Sequence, residues 1–212
     1  RKVVLSPRQF RPASNINIII KSIPEVVAKV PGTVFLLKNY LSEGSAYSEY
    51  QQSLRELVRQ MRVQDHVRFI EDMEFAEMPI LYNLTDVMVT LRDTDGSACS
   101  MLECMACKTP IVASDIESMR EWITDGENGR LVDRHSPAAV ADAIVELLLD
   151  REKKEKFVDA SYQRVHEKAD YRKNWADVET LYYRLKAEGK HDRYRSRGVN
   201  GMDLSEQYDA LG

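Results

Sequence analysis

The sequence predicts an α/β fold in which a doubly wound parallel sheet is flanked by helices and followed by extra helices at the C-terminal end. Two observations carry this. Short apolar runs rich in β-branched residues alternate with segments of helical period as far as Asp150, the pattern of strands joined by helical crossovers. Beyond Asp150 the chain is helical in character throughout.

Strands are expected over residues 3–6, 33–37, 67–70, 87–91, 110–113 and, as a short one, 130–132. The fourth, Val87-Met-Val-Thr-Leu91, suits a strand buried on both faces, and the turn formers from Asp93 to Gly96 end it. Leu54, Leu57, Val58 and Met61 recur at i, i+3, i+4 and i+7 and define a helix with Glu49, Arg55, Glu56 and Arg59 largely on its outer side. Ser136 followed by Pro137 reads as an N-cap with proline at the first helical position, ahead of Val140, Ile144, Leu147 and Leu148 on one face. Trp175, Val178, Leu181, Tyr182 and Leu185 form a later stripe, expected to pack on the sheet or, as a family resemblance implies, to cross to a domain outside the chain. Residues 1–187 are thus expected to form one domain with its C-terminal helices, and residues 188–212, which keep no sustained period, a polar mobile tail.

The most chemically informative stretch follows the fourth strand: Asp95-Gly96-Ser97-Ala98-Cys99-Ser100, then Met101-Leu102-Glu103. A helix is expected to begin near Ala98. Its first turn offers unpaired backbone N–H groups and the positive end of the helix dipole, and the small residues Gly96, Ser97 and Ala98 let a diphosphate approach the backbone. The Ser100 hydroxyl adds a donor, and Ser97 also reads as an ordinary N-cap. Glu103, about a turn further in, is placed to accept from vicinal ribose hydroxyls, and Asp95 to accept from sugar hydroxyls or to close an Asx turn. Met101, Leu102 and Met105 suggest that Glu103 sits on a mostly buried helix, where a carboxylate without partners is costly.

At 212 residues and 24.4 kDa, with 43% hydrophobic residues, the chain is large enough for a full core. A formal charge of −4 and a pI near 5.7 argue against nucleic acid as a partner; the basic run over residues 186–197, with glycines around it, reads as a solvated tail. No apolar run reaches bilayer length and no secretory signal opens the chain, so a cytoplasmic location is expected. Cys99, Cys104 and Cys107 have the C-x4-C-x2-C spacing of some iron–sulfur proteins, but there is no fourth cysteine and helical phase turns the three thiols apart. They are expected to be small buried hydrophobes. His66, His135, His166 and His191 are scattered, and no metal-ligand spacing occurs.

Asp95, seven residues, Glu103, and then Cys-Met-Ala-Cys-Lys-Thr-Pro-Ile-Val-Ala-Ser resembles the donor-site motif of family 4 retaining glycosyltransferases of the GT-B architecture. There, two glutamates flank seven residues and are followed by Ala-Met-Ala-Cys-Gly-x-Pro-Val-Val-Ala-Ser. Val67-Arg-Phe-Ile70, Glu77-Met-Pro-Ile-Leu-Tyr82 and Asp125-Gly-Glu-Asn-Gly-Arg-Leu-Val132 match the family in order. The resemblance implies the C-terminal, Rossmann-like half of a GT-B fold that moves a hexose from a UDP- or GDP-sugar with retention of anomeric configuration. It also implies no cofactor beyond the nucleotide sugar. The chain opens at Arg1 directly before a strand, and a preceding N-terminal domain is expected to carry the acceptor, a sugar or lipid-linked glycan, with scope for peripheral membrane contact. This half alone is expected to bind donor and turn over little.

Carried over by residue, the resemblance places Arg8, just past the first strand, on the donor diphosphate, a task suited to a planar, permanently charged guanidinium. Arg8, Asp95 and Glu103 are assigned to the catalytic centre, with the two carboxylates flanking the ligand rather than acting as acid and nucleophile. Donor contacts are further assigned to Arg11, Met73, Gly96, Ser97, Ala98, Cys99 and Ser100, with the base near residues 71–73. Two departures stand out. Asp95 replaces the commoner glutamate, and the family's lysine before a glycine is missing, with Ser14 near its place and Arg11 as a candidate substitute. These departures keep a second reading open: a sugar-nucleotide-binding or scaffolding domain that has lost transferase activity.

Overall fold

The computed structural model describes residues 1–38, 48–70, 73–96 and 99–187. The chain divides into two compact units, residues 1–169 and 170–212. The first contains a six-stranded sheet of β1 (Val3–Ser6), β2 (Val34–Lys38), β3 (Val67–Ile70), β4 (Val87–Thr90), β5 (Ile111–Ser114) and β6 (Arg130–Val132). All pairings are parallel and the strand order is β3-β2-β1-β4-β5-β6. Each strand lies within one residue of its expected bounds. The fourth stops at Thr90 rather than Leu91: two residues on, the Arg92 N–H donates to a side chain, Ser114 Oγ, at 2.6 Å instead of to the ladder.

Successive strand residues point to opposite faces, and the apolar side chains sort accordingly. Val4, Phe35, Leu37, Val87, Val89 and Val112 join one core cluster with α1 (Ile16–Lys29), α2 (Ser48–Gln60) and α6 (Pro137–Leu149). Leu5, Met88, Ile111 and Ala113 join the other with α3 (Met78–Asn83), α4 (Cys99–Ala106) and α5 (Glu117–Arg120). α7 (Arg151–Lys168) adds Phe157 to the first cluster and Val165 to the second. Ile19 of α1 is fully buried, so Ile19→Ala costs about 2–5 kcal/mol.

Local signals explain the helix ends. Ser136 caps α6 by accepting from the Ala139 N–H, with Pro137 in the first turn, and Asp150 caps α7 by accepting from Lys153. On α2, Leu54 and Val58 are buried and Leu57 and Met61 pack against them, the stripe read from sequence. The second unit contains α8 (Tyr171–Ala187), which carries the Trp175–Leu185 stripe; the expected tail, residues 188–212, lies outside the described residues. No helix among the described residues is long and apolar enough to cross a membrane.

The sheet order reverses between β1 and β4. Their outward connections run to opposite sides, which leaves a crevice beyond their carboxyl ends, the place where open α/β sheets bind ligands.

Candidate functional site

Arg8 follows β1 and reaches across this crevice. Its Nε donates to Thr90 Oγ1 at the end of β4 at 3.0 Å, and its Nη2 donates to Asp95 Oδ2 at 2.5 Å. Both side chains are largely out of solvent, 17% and 12% exposed. Burial lowers the Arg8 pKa from its ordinary value; Asp95 opposes that change and the neighbouring Arg92 charge adds to it. Arg92 approaches the same carboxylate oxygen, with Nε 3.7 Å from Asp95 Oδ2, so one carboxylate serves two guanidiniums.

The loop that carries these groups is tied down on both sides. The Asp93 N–H donates to Ala13 O at 3.1 Å, and Asp93 Oδ1 accepts from Asn15 Nδ2 at 2.8 Å and Arg134 Nε at 2.9 Å. Hydrogen bonding from Asn15, with Arg134 helping against a smaller desolvation effect, holds the Asp93 carboxyl below its ordinary pKa. Asn15 adopts the left-handed conformation, φ 47°, as it leads into α1. Asparagine tolerates that region better than most residues with a side chain.

Beyond the arginines lies a pocket of about 380 Å³, with Arg8, Arg11 and Arg92 on its wall beside Cys99, Ser100 and Glu103 of α4. Phe75, Met78 and Tyr82 supply apolar surface. The Tyr82 hydroxyl donates to Glu103 Oε2 at 2.6 Å, and Tyr82 itself is 1% exposed. Ser100 Oγ is buried without a hydrogen-bond partner among the described residues, a donor and acceptor waiting in the first turn of α4. The wall therefore combines cations, a helix N-terminus and a carboxylate held by a phenol.

Of the residues named from sequence, Arg8, Arg11, Cys99, Ser100 and Glu103 share this pocket. Asp95 and Gly96 line a neighbouring hollow of about 410 Å³ with Asp93, Glu117 and Glu121. An ion pair joins Arg8 of the first hollow to Asp95 of the second. Met73 is half-buried against the cluster around α3 and α4, and the described pocket wall has Phe75 and Met78 instead. Ser97 and Ala98 lie outside the described residues, as do Glu71 and Asp72. Cys104 is buried as expected and Cys107 is intermediate, whereas Cys99 departs from expectation and is exposed at the pocket, on the side of the first turn of α4 opposite the buried Met101. Burial pushes the Cys104 thiol well up, and that of Cys107 up as well.

Sequence reasoning missed Arg92 and Tyr82. Arg92 stands two residues past the apolar fourth strand, where a side chain enters the crevice once the strand order is known. Tyr82 ends the Glu77–Tyr82 match already noted, but only the packing of α3 beside α4 shows that its hydroxyl reaches Glu103.

The family model for glycosyl transferases group 1 matches residues 1–164. Among curated relatives, a GDP-mannose-dependent alpha-(1-6)-phosphatidylinositol monomannoside mannosyltransferase of Mycobacterium tuberculosis is 27% identical over 160 residues, covering 72% of this chain and 40% of that protein. Sucrose-phosphate synthase from Thermosynechococcus elongatus superposes with a TM-score of 0.81 at 21% identity, covering 88% of this chain and 46% of the other. Anabaena HepE in complex with UDP and glucose superposes with a TM-score of 0.77 at 19% identity, covering 85% and 48%. The chain spans about half or less of the length of the curated relatives it matches. With the sheet order, the crevice and the Asp95-to-Ser114 motif in agreement, the chain belongs to the group 1 glycosyl transferases.

Proposed function

We propose that this chain is the donor-binding half of a retaining glycosyltransferase that moves a hexose from a UDP- or GDP-sugar to an acceptor held by another part of the whole protein. The observation that carries the reading is the convergence at one pocket of Arg8, the first turn of α4 with Ser100 Oγ, and the Tyr82-held Glu103 carboxylate. A nucleoside diphosphate has complementary parts in the same order. Its phosphates take the guanidinium and the helix N-terminus, and vicinal ribose hydroxyls take Glu103. The base then lies toward Phe75 and Met78. The M. tuberculosis relative is named for GDP-mannose and the Anabaena structure holds UDP and glucose, which supports the donor class without choosing its base.

In the proposed reaction the bond from the anomeric carbon to the diphosphate oxygen breaks, the acceptor hydroxyl oxygen bonds that carbon and its proton passes to the departing diphosphate, on which negative charge grows as the bond opens. Arg8 and the N–H groups of the α4 first turn stabilise that charge without first having to reorganise. We assign no cofactor or metal to this step; the Arg8 guanidinium on the pocket wall supports a leaving-group charge met by the protein itself. Chelation with EDTA is expected to leave nucleotide affinity unchanged.

The second reading, a domain that binds nucleotide sugar without transferring it, draws on Ser14 standing in the place of the family's lysine. Release of UDP from UDP-glucose or of GDP from GDP-mannose by the whole protein, acceptor-binding part included, followed in the presence of a glycolipid extract, separates the two. Release together with a melting-point rise on adding nucleotide supports transfer; a rise without release supports binding alone; neither signal overturns the donor-site reading. A nucleotide at a hundred times its Kd adds about 2.7 kcal/mol to the folded state. That corresponds to about 5–10 °C at this chain length.

A further inference from the structure

We propose that Arg92 is the second diphosphate-binding cation of this site, supplied from the loop after β4 in place of a lysine on the loop after β1. The inference rests on the donor-site reading above and adds to it a residue that the family pattern does not mark.

Three features of the geometry carry it. Asn15 holds a left-handed conformation, φ 47°, directly after Ser14, the residue that the family resemblance sets near the place of the missing lysine. Arg92 Nη1 donates to Ser14 Oγ at 2.9 Å, so a guanidinium reaching in from the loop after β4 stands beside the residue near the lysine's place. Arg92 also lines the same pocket as Arg8 and shares Asp95 with it, so the two cations face one volume.

The side chain is held for the task. Its backbone N–H donates to Ser114 Oγ, its Nε donates to Thr94 O at 3.3 Å, and Asp93 beside it is fixed to Ala13, Asn15 and Arg134. Arg92 is 23% exposed, whereas Arg11, the substitute suggested by sequence, is an exposed residue on the pocket wall. Two guanidiniums against one carboxylate leave a surplus positive charge at the pocket. The like charges of Arg8 and Arg92 repel, and an anion with several oxygens relieves that repulsion by bridging them. Asp95 is then a positioning residue, the internal counter-ion that keeps both guanidiniums in place before the diphosphate arrives.

The test compares UDP and GDP with uridine and guanosine on the wild-type chain, Arg92→Ala and Arg92→Lys, by calorimetry for the diphosphates and ligand-observed NMR for the nucleosides. Arg92→Ala is expected to weaken the bound diphosphate by about tenfold or more, the scale of one charge-assisted hydrogen bond. Nucleoside affinity stays within about twofold, and Arg92→Lys recovers part of the diphosphate loss. If Arg92→Ala and Arg92→Lys both bind diphosphate as the wild type does, the inference is wrong and the donor-site reading stands. An equal loss for nucleoside and diphosphate in both variants also overturns it, because Arg92 would then be acting only through the fold. If the wild type binds no nucleotide at all, the donor-site reading fails and takes this inference with it.

Discussion

The Tyr82 hydroxyl donates to Glu103 Oε2 across the α3–α4 contact at 2.6 Å, joining a buried aromatic ring to the carboxylate that faces the pocket. A hydrogen bond to a charged group contributes about 1.5–3 kcal/mol, and this one also fixes which way the second carboxylate oxygen points. A double-mutant cycle on unfolding free energy with Tyr82→Phe and Glu103→Gln is expected to give a coupling of about 1–2 kcal/mol. Tyr82→Phe should also weaken nucleotide binding severalfold. Coupling near zero would mean that the two side chains do not depend on each other.

Lys108 ends α4 in the left-handed conformation, φ 56°, at the position where the family motif has glycine. Lys108 N–H donates to Met105 O and Thr109 N–H to Cys104 O, the two bonds of a Schellman motif. The left-handed backbone costs a non-glycine residue about 1–2 kcal/mol. Lys108 Nζ offsets part of this from 4.7 Å above the Tyr162 ring and 3.7 Å from Asp159, worth roughly 0.5–1 kcal/mol at an exposed site. Urea unfolding should therefore find Lys108→Gly more stable by about 0.5 kcal/mol and Lys108→Ala less stable by a similar amount, since alanine loses the contacts and keeps the strain.

Asp86 lies at the opposite end of the sheet from the pocket. It accepts from the Val3 N–H at 2.9 Å and from Lys2 Nζ at 3.0 Å, with Lys154 Nζ at 3.5 Å. Burial pushes its pKa up, but these partners together outweigh that and bring it below 3.8. A depressed folded-state pKa gives stability that is fully present above the unfolded value and is lost as pH falls through the folded one. Asp86→Asn should therefore cost about 1–2 kcal/mol near neutral pH. The deficit should shrink below about pH 4 as the wild-type carboxyl protonates, while nucleotide affinity at neutral pH stays unchanged. A deficit that does not vary with pH would contradict this.

The thiols should separate by position. Iodoacetamide is expected to modify Cys99 first, at the pocket, and Cys107 more slowly; Cys104, fully buried with its thiol pushed up by desolvation, reacts only on unfolding. Peptide mass mapping reads the order, and bound nucleotide should protect Cys99 selectively.

The sheet was legible because its central strands are apolar on both faces and all six runs are short and bounded by turn formers or helical segments. The motif from Asp95 to Ser114 was legible for a related reason: small residues, a helix start and a strand follow one another locally. What sequence could not supply was contact between elements distant in the chain. Arg92 meets Ser14 across 78 positions, and Tyr82 meets Glu103 across 21. Neither pair has a local spacing that announces it. Both depend on β1 lying beside β4 and on α3 lying beside α4. Asp95 illustrates the same limit: its type and position suggested a sugar contact, and its ion pairs with Arg8 and Arg92 become visible only once the fold brings the three together.

Calorimetric titration of the chain with UDP, GDP and ADP, alongside Glu103→Ala, tests the donor site most directly. The account predicts saturable one-to-one binding of UDP or GDP that Glu103→Ala weakens by about tenfold or more, consistent with loss of a carboxylate from a polar contact. No binding by any of the three, or equal affinity in the Glu103→Ala variant, would contradict it.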